Sequence, residues 1–145
     1  MKKLLKSFSY AFKGIIYAFR TQVNFKIHLV AAATVTLAGF YLNLNNVEWS
    51  ILAGCIGLVL VVELINTAIE VLVDLVSPAY NKKAGIVKDI SAGAVLLAAI
   101  IAVIVAAFIF VPKVGLASFL PLSFYPSPSG LCAARYYEND WRTAV

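Results

Sequence analysis

Residues 47–76 read VEWSILAGCIGLVLVVELINTAIEVLVDLV. From Trp49 to Val62 there is no Asp, Glu, Lys or Arg; then come Glu63, Asn66, Glu70 and Asp74, separated by residues that are apolar except for Thr67. No proline intervenes before Pro78, so one helix is predicted over 47–76. At about 100° per residue the three carboxylates and the carboxamide fall within about 80° of one another, on a single stripe. Such a helix is about 45 Å long, roughly 15 Å more than a bilayer core requires. If it enters the bilayer at Val47, Glu63 lies at the inner boundary, and Glu70 and Asp74 project beyond it. Ionisable groups at that depth are costly and mark function.

The rest of the chain supports a lipid solvent. Of 145 residues, 62% are hydrophobic and 13% charged, with a mean hydropathy of +0.90. A soluble domain is about 45–50% apolar and ~25% charged, and a small one cannot hide so much apolar surface. A soluble enzyme, a disordered chain and a nucleic-acid-binding module are therefore excluded. Leu29 to Val47 and Ile90 to Pro112 also lack acidic and basic residues. The expected architecture is all-α and membrane-embedded, with spans at about 27–47, 47–76 and 90–112. Three spans make a thin bundle, so oligomerisation is expected. Cys55 and Cys132 form no disulfide framework, and Cys55, in an apolar run, suits packing.

Ahead of the first span, Leu5, Phe8, Phe12, Ile15, Ile16 and Phe19 recur at helical spacing, while Lys6, Lys13 and Arg20 share another side. This predicts an amphipathic surface helix over about 4–20. Basic residues gather before the first span and at Lys82, Lys83 and Lys88, whereas residues 43–48 have none. Positive charge thus places the N-terminus and the 77–89 loop on the cytoplasmic side. Asn43, Asn45 and Asn46 read as an outer turn. Pro121, Pro126 and Pro128 break periodicity in an irregular tail over 114–145, giving a membrane domain of about 1–113.

Close carboxylates repel unless they share a cation or a proton, so a divalent metal suits the stripe, and Glu63 could accept a proton. Lys88 could neutralise a phosphate, and Asp89, opening the third span, could hold a metal or cap the helix. His28, at the entrance of the first span, is either structural or a contact to a headgroup or phosphate. No P-loop or GxGxxG motif occurs. An ion-binding or ion-conducting oligomer is the alternative reading, as is a structural adaptor. The first would continue polar residues through the outer half of a span, and the second needs no Lys88-Asp89 facing the stripe.

Glu63-Leu-Ile-Asn-Thr-Ala-Ile-Glu70, then Asp74, followed by Lys88-Asp89-Ile-Ser-Ala-Gly-Ala-Val, resembles the small integral-membrane bacterial diacylglycerol kinase and undecaprenol kinase family. Asn24-Phe-Lys-Ile-His28-Leu and Glu48-Trp49 are more similar to its undecaprenol-kinase branch. The resemblance runs from about Lys3 to Lys113. It implies a homotrimer in the bacterial inner membrane, transferring the γ-phosphoryl group of MgATP to a lipid hydroxyl at the cytoplasmic face. The lipid would be undecaprenol or diacylglycerol. By that resemblance Glu63 is the catalytic base, with Asn66 and Lys88 in the active site, and Glu70 a Mg²⁺ ligand. Lys88, Asp89, Lys3, Tyr10 and the Ala79-Tyr80-Asn81 turn match nucleotide-contacting positions. The family's second metal-binding glutamate is matched here by Gln22, whose amide oxygen can coordinate Mg²⁺ but brings no charge.

Overall fold

The computed structural model describes residues 2–79 and 81–119. It comprises four helices: α1 (Lys2–Thr21), α2 (Val23–Tyr41), α3 (Asn46–Val76) and α4 (Lys82–Phe119). By length and apolar composition, α2, α3 and residues 82–115 of α4 can each cross a membrane. The chain divides into two units, Met1–Val111 and Pro112–Val145. All of the polar network described below lies in the first. In the second, the described residues continue α4 to Phe119.

A single residue separates α1 from α2. Gln22 is extended (φ −99°, ψ 119°) and makes no side-chain cap, while its N–H still donates to the Ala18 carbonyl at 2.8 Å. Ala18 is buried, and its methyl side chain lets α1 pass close to its neighbours. α1 packs on α2 and α3. Along it Leu5, Phe8, Phe12 and Phe19 remain exposed.

The α2–α3 hairpin is closed by local chemistry. Asn43 adopts φ 50°, a left-handed conformation that Asn tolerates better than most residues. There it ends α2 in a Schellman motif, with the Leu44 N–H on the Gly39 carbonyl (3.1 Å) and the Asn43 N–H on the Phe40 carbonyl (3.3 Å). Asn45 then starts α3 with a capping box: its Oδ1 accepts from the Val47 and Glu48 N–H groups, and Glu48 accepts from the Asn45 N–H at 2.7 Å. Tyr41 therefore ends α2 six residues short of the expected 47, because uncharged asparagines in the turn extend the apolar count without extending the helix. The helix also begins earlier, at Val23 rather than 27.

α3 is about 46 Å long at ~1.5 Å per residue, and ends before Pro78 as expected. α4 begins earlier than expected. The Asn81 Oδ1 accepts from the Lys83 N–H at 2.9 Å, which starts the helix there. Lys88 and Asp89 consequently sit inside α4, and Asp89 does not cap it. At the other end α4 passes through Pro112 to Phe119. Pro112 removes one N–H from the ladder, yet residues 114–119 stay helical, where an irregular tail was expected. Residues 120–145 lie outside the described residues.

Gly39 is buried where the Trp49 indole crosses α2. An added Cβ would stand 2.9 Å from Trp49 Cη2, and the ring is held by Phe40 at a centroid distance of 4.7 Å. Gly39→Ala should destabilise the protein by about 1–3 kcal/mol, read as a lower unfolding temperature in detergent. Adding Trp49→Leu should recover part of that loss. Additive effects would show that the two side chains do not meet.

Candidate active site

The buried residues of α3 are Leu52, Val59, Glu63, Asn66 and Thr67. They form one stripe, apolar at the start and polar towards the C-terminal end. Glu63 is 1% exposed, and its Oε2 has no hydrogen-bond partner among the described residues. A buried carboxylate oxygen left without a donor costs stability, so its persistence points to a task. Thr67, one turn on, donates to the Glu63 carbonyl at 2.9 Å and does not reach the carboxylate.

Glu70 is the centre of a network that joins the α1–α2 joint, α3 and α4. Its Oε2 accepts from Gln22 Nε2 at 3.0 Å, and its Oε1 accepts from Asn66 Nδ2 at 3.0 Å. Asn66 Oδ1 in turn accepts from Ser91 Oγ on α4 at 2.6 Å; that hydroxyl also lies 2.9 Å from the Lys88 carbonyl. Gln22 leaves the α2 N-terminus uncapped because its amide is engaged here. Beyond Ser91, Lys88 Nζ forms an ion pair with Asp74. With relative exposures of 37% and 67%, that pair is worth at most ~1 kcal/mol, so the lysine exchanges partners cheaply.

The structure thus brings together Gln22, Asn66 and Glu70, with Asp74 and Lys88 as a neighbouring pair. Ser91 was missed by sequence reasoning. Its signal was a lone hydroxyl in an apolar run, one turn after Lys88 and so on the same face of α4. Lys3, Tyr10, Ala79, Asn81 and Asp89 are exposed and make no hydrogen bond to this network. The Asn81 side chain is used as a helix cap, the Ala79 carbonyl accepts from Ser77 Oγ, and Tyr10 has Lys13 Nζ 5.7 Å from its ring centroid. Tyr80 lies outside the described residues. Among the described residues no three His, Cys, Asp or Glu side chains cluster as a metal site. The donors present still suit Mg²⁺, which takes hard oxygen ligands from one or two carboxylates and completes its shell with substrate phosphates and water.

An apolar groove leads to the network. It is walled by stripes at i, i+3, i+4, i+7 spacing on α2 (His28 to Val35) and α4 (Ala99 to Ala106), with Leu52 to Leu60 of α3 between them. The helices alternate in direction, so His28, Leu60 and Ala99 share one end. One turn past Val59 on α3 stands Glu63. Running back along α4 from Ala99, the same face carries Val95, Ser91 and Lys88. The apolar walls and the polar cluster thus occupy successive turns of the same faces of α3 and α4.

A family model described as prokaryotic diacylglycerol kinase matches residues 9–110. The chain belongs to the prokaryotic diacylglycerol kinase family. Over 110 residues it is 48% identical to a diacylglycerol kinase of Synechocystis sp., a match covering 75% of this chain and 63% of that protein. It is 41% identical over 113 residues to an undecaprenol kinase of Bacillus subtilis, covering 78% of this chain and 92% of the relative. It is 31% identical over 102 residues to a diacylglycerol kinase of Escherichia coli strain K12, covering 70% and 84%. The expected class, an enzyme of the lipid-kinase type with membrane-spanning helices, agrees with these names. Nothing in them supports the ion-conducting alternative. Membership of a lipid-kinase family implies a lipid acceptor and ATP as phosphoryl donor.

Ser91→Ala should cost about 1–3 kcal/mol, because it leaves the buried Asn66 Oδ1 without its donor. Thermal unfolding in detergent measures this. A stability change within about 0.5 kcal/mol would show that water or a turned amide replaces the hydroxyl.

Proposed function

We propose that this chain transfers the γ-phosphoryl group of MgATP to the hydroxyl of a membrane lipid alcohol, undecaprenol or diacylglycerol. The observation that carries the reading is the buried, unpartnered Glu63 Oε2, one helical turn past Val59 of the apolar groove and one turn before the Asn66–Glu70–Gln22 network. A lipid tail belongs in such a groove, and its hydroxyl then arrives beside the unpartnered Glu63 Oε2.

Phosphoryl transfer needs mainly positioning and charge neutralisation. Glu63 accepts the hydroxyl proton as the lipid oxygen bonds to the γ-phosphorus and the bond to the β–γ bridging oxygen breaks, releasing ADP. Glu70 would hold the metal ion, and the Gln22 amide, whose Nε2 donates to Glu70, would offer its oxygen to the ion on turning, while Asn66 fixes the Glu70 carboxylate. Bound Mg²⁺ supplies positive charge against the phosphates. Lys88 leaves its weak pairing with Asp74 for a phosphate oxygen. Asp89, Lys3, Tyr10, Ala79, Tyr80 and Asn81 flank the nucleotide. Each site lies at the cytoplasmic face of the bacterial inner membrane, with the N-terminus inside and α1 lying in the interface, as the placement of basic residues favours. The unit is a homotrimer, for which the exposed apolar residues of α4, Leu97, Ile101, Ile104 and Phe108, provide surface against lipid and sister protomers.

Purified protein in mixed micelles with MgATP should phosphorylate undecaprenol, diacylglycerol or both when the two are assayed side by side. Glu63→Gln should lower turnover by at least about a hundredfold while leaving the unfolding temperature and oligomeric state in place. Near-normal turnover would remove Glu63 as the base. Gln22→Glu should move the Mg²⁺ dependence of turnover several-fold to lower concentration, since a second carboxylate adds charge at the ligand. An unchanged titration would take Gln22 away from the metal.

A further inference from the structure

His28 has no assigned task in the reaction, yet it is the polar member of the α2 stripe that walls the groove. It shares the inner end of that groove with Val59 and Leu60, and Glu63 follows Val59 by one helical turn on the same buried stripe of α3. His28 is half-buried, and no hydrogen bond ties it to another described residue. A histidine that only supports a fold saturates its ring nitrogens.

The inner end of the groove therefore holds two unfilled hydrogen-bonding groups. Glu63 Oε2 is an acceptor without a donor, and a neutral imidazole brings one N–H donor and one acceptor nitrogen. An alcohol hydroxyl needs this pair: it donates its one proton and accepts at its lone pairs. With the hydroxyl proton on Glu63 and the His28 N–H on the oxygen, the attached hydrocarbon extends along the groove between the α2 and α4 stripes. No other side chain of the α2 or α4 lining offers a hydrogen bond.

We infer that His28 is a positioning residue that holds the acceptor lipid's hydroxyl against Glu63. This rests on the lipid-kinase reading above. His28 accepts no proton and touches no phosphate; it orients the oxygen that Glu63 activates.

The test is steady-state kinetics of His28→Ala and His28→Asn in mixed micelles, with undecaprenol or dioleoylglycerol varied at saturating MgATP, and then MgATP varied at saturating lipid. His28→Ala should raise the lipid KM about tenfold, the loss of one hydrogen bond to substrate, with the KM for ATP unchanged. His28→Asn, which keeps a donor, should return the lipid KM to within about threefold of the parent. His28→Leu, which keeps bulk without a donor, should behave as His28→Ala and serves where alanine leaves the protein unfolded. An unchanged lipid KM in the alanine and leucine variants overturns the inference. So does a joint shift of lipid KM, ATP KM and unfolding temperature, which marks a structural histidine. Failure of the parent protein to phosphorylate either lipid overturns the lipid-kinase reading itself, and this inference with it.

Discussion

Both oxygens of Glu70 are held by amides, one from the α1–α2 joint and one from α3 itself. A carboxylate among membrane-spanning helices is tolerable only when its acceptor capacity is met. Meeting it here recruits Gln22 and Asn66, and Asn66 recruits Ser91 on α4. One half-buried acid thereby ties together the α1–α2 joint, α3 and the inward face of α4. Glu63 is placed by the same stripe and differs in one respect: its Oε2 is unfilled. On the proposed reading, the contrast between a carboxylate bonded at both oxygens and one unbonded at Oε2, seven residues apart on one helix, separates the metal ligand from the base.

The opposite half of the bundle contains little chemistry. Its hairpin is secured by the Asn43 and Asn45 backbone motifs and by an indole laid over Gly39. These are local devices and need no buried charge. Between the two ends, small side chains such as Ala31, Ala32, Ala99 and Ala102 line the groove and keep it open where larger residues would close it.

Much of this was legible in the chain. The acidic stripe, the break at Pro78 and the three apolar runs follow from period and composition, and α3 spans the range expected. Helix ends were less legible. The asparagines of the outer turn carry no charge, so charge counting alone ran the first span past Tyr41. Asn81 caps α4 immediately ahead of Lys82 and Lys83, well before Ile90, and a polar stretch of mixed composition does not announce which residue will do so. The pairing of Glu70 with Gln22 was suggested only by family resemblance, because residues 48 apart in sequence share no periodicity. Ser91 escaped because a serine in an apolar helix more often bonds its own backbone. Only the folded chain sets its hydroxyl against Asn66.

The site residues of α3, Glu63 to Asp74, occupy one end of a helix longer than the bilayer core. On the proposed reading this has a directional consequence. A neutral lipid alcohol can reach the site from either leaflet by crossing the membrane, but the phosphate ester it becomes carries charge that hydrocarbon rejects. The product stays in the leaflet where it was made. A protein whose site lies at a single end therefore works as a sorter of lipids between leaflets, and its asymmetry becomes an asymmetry of the membrane.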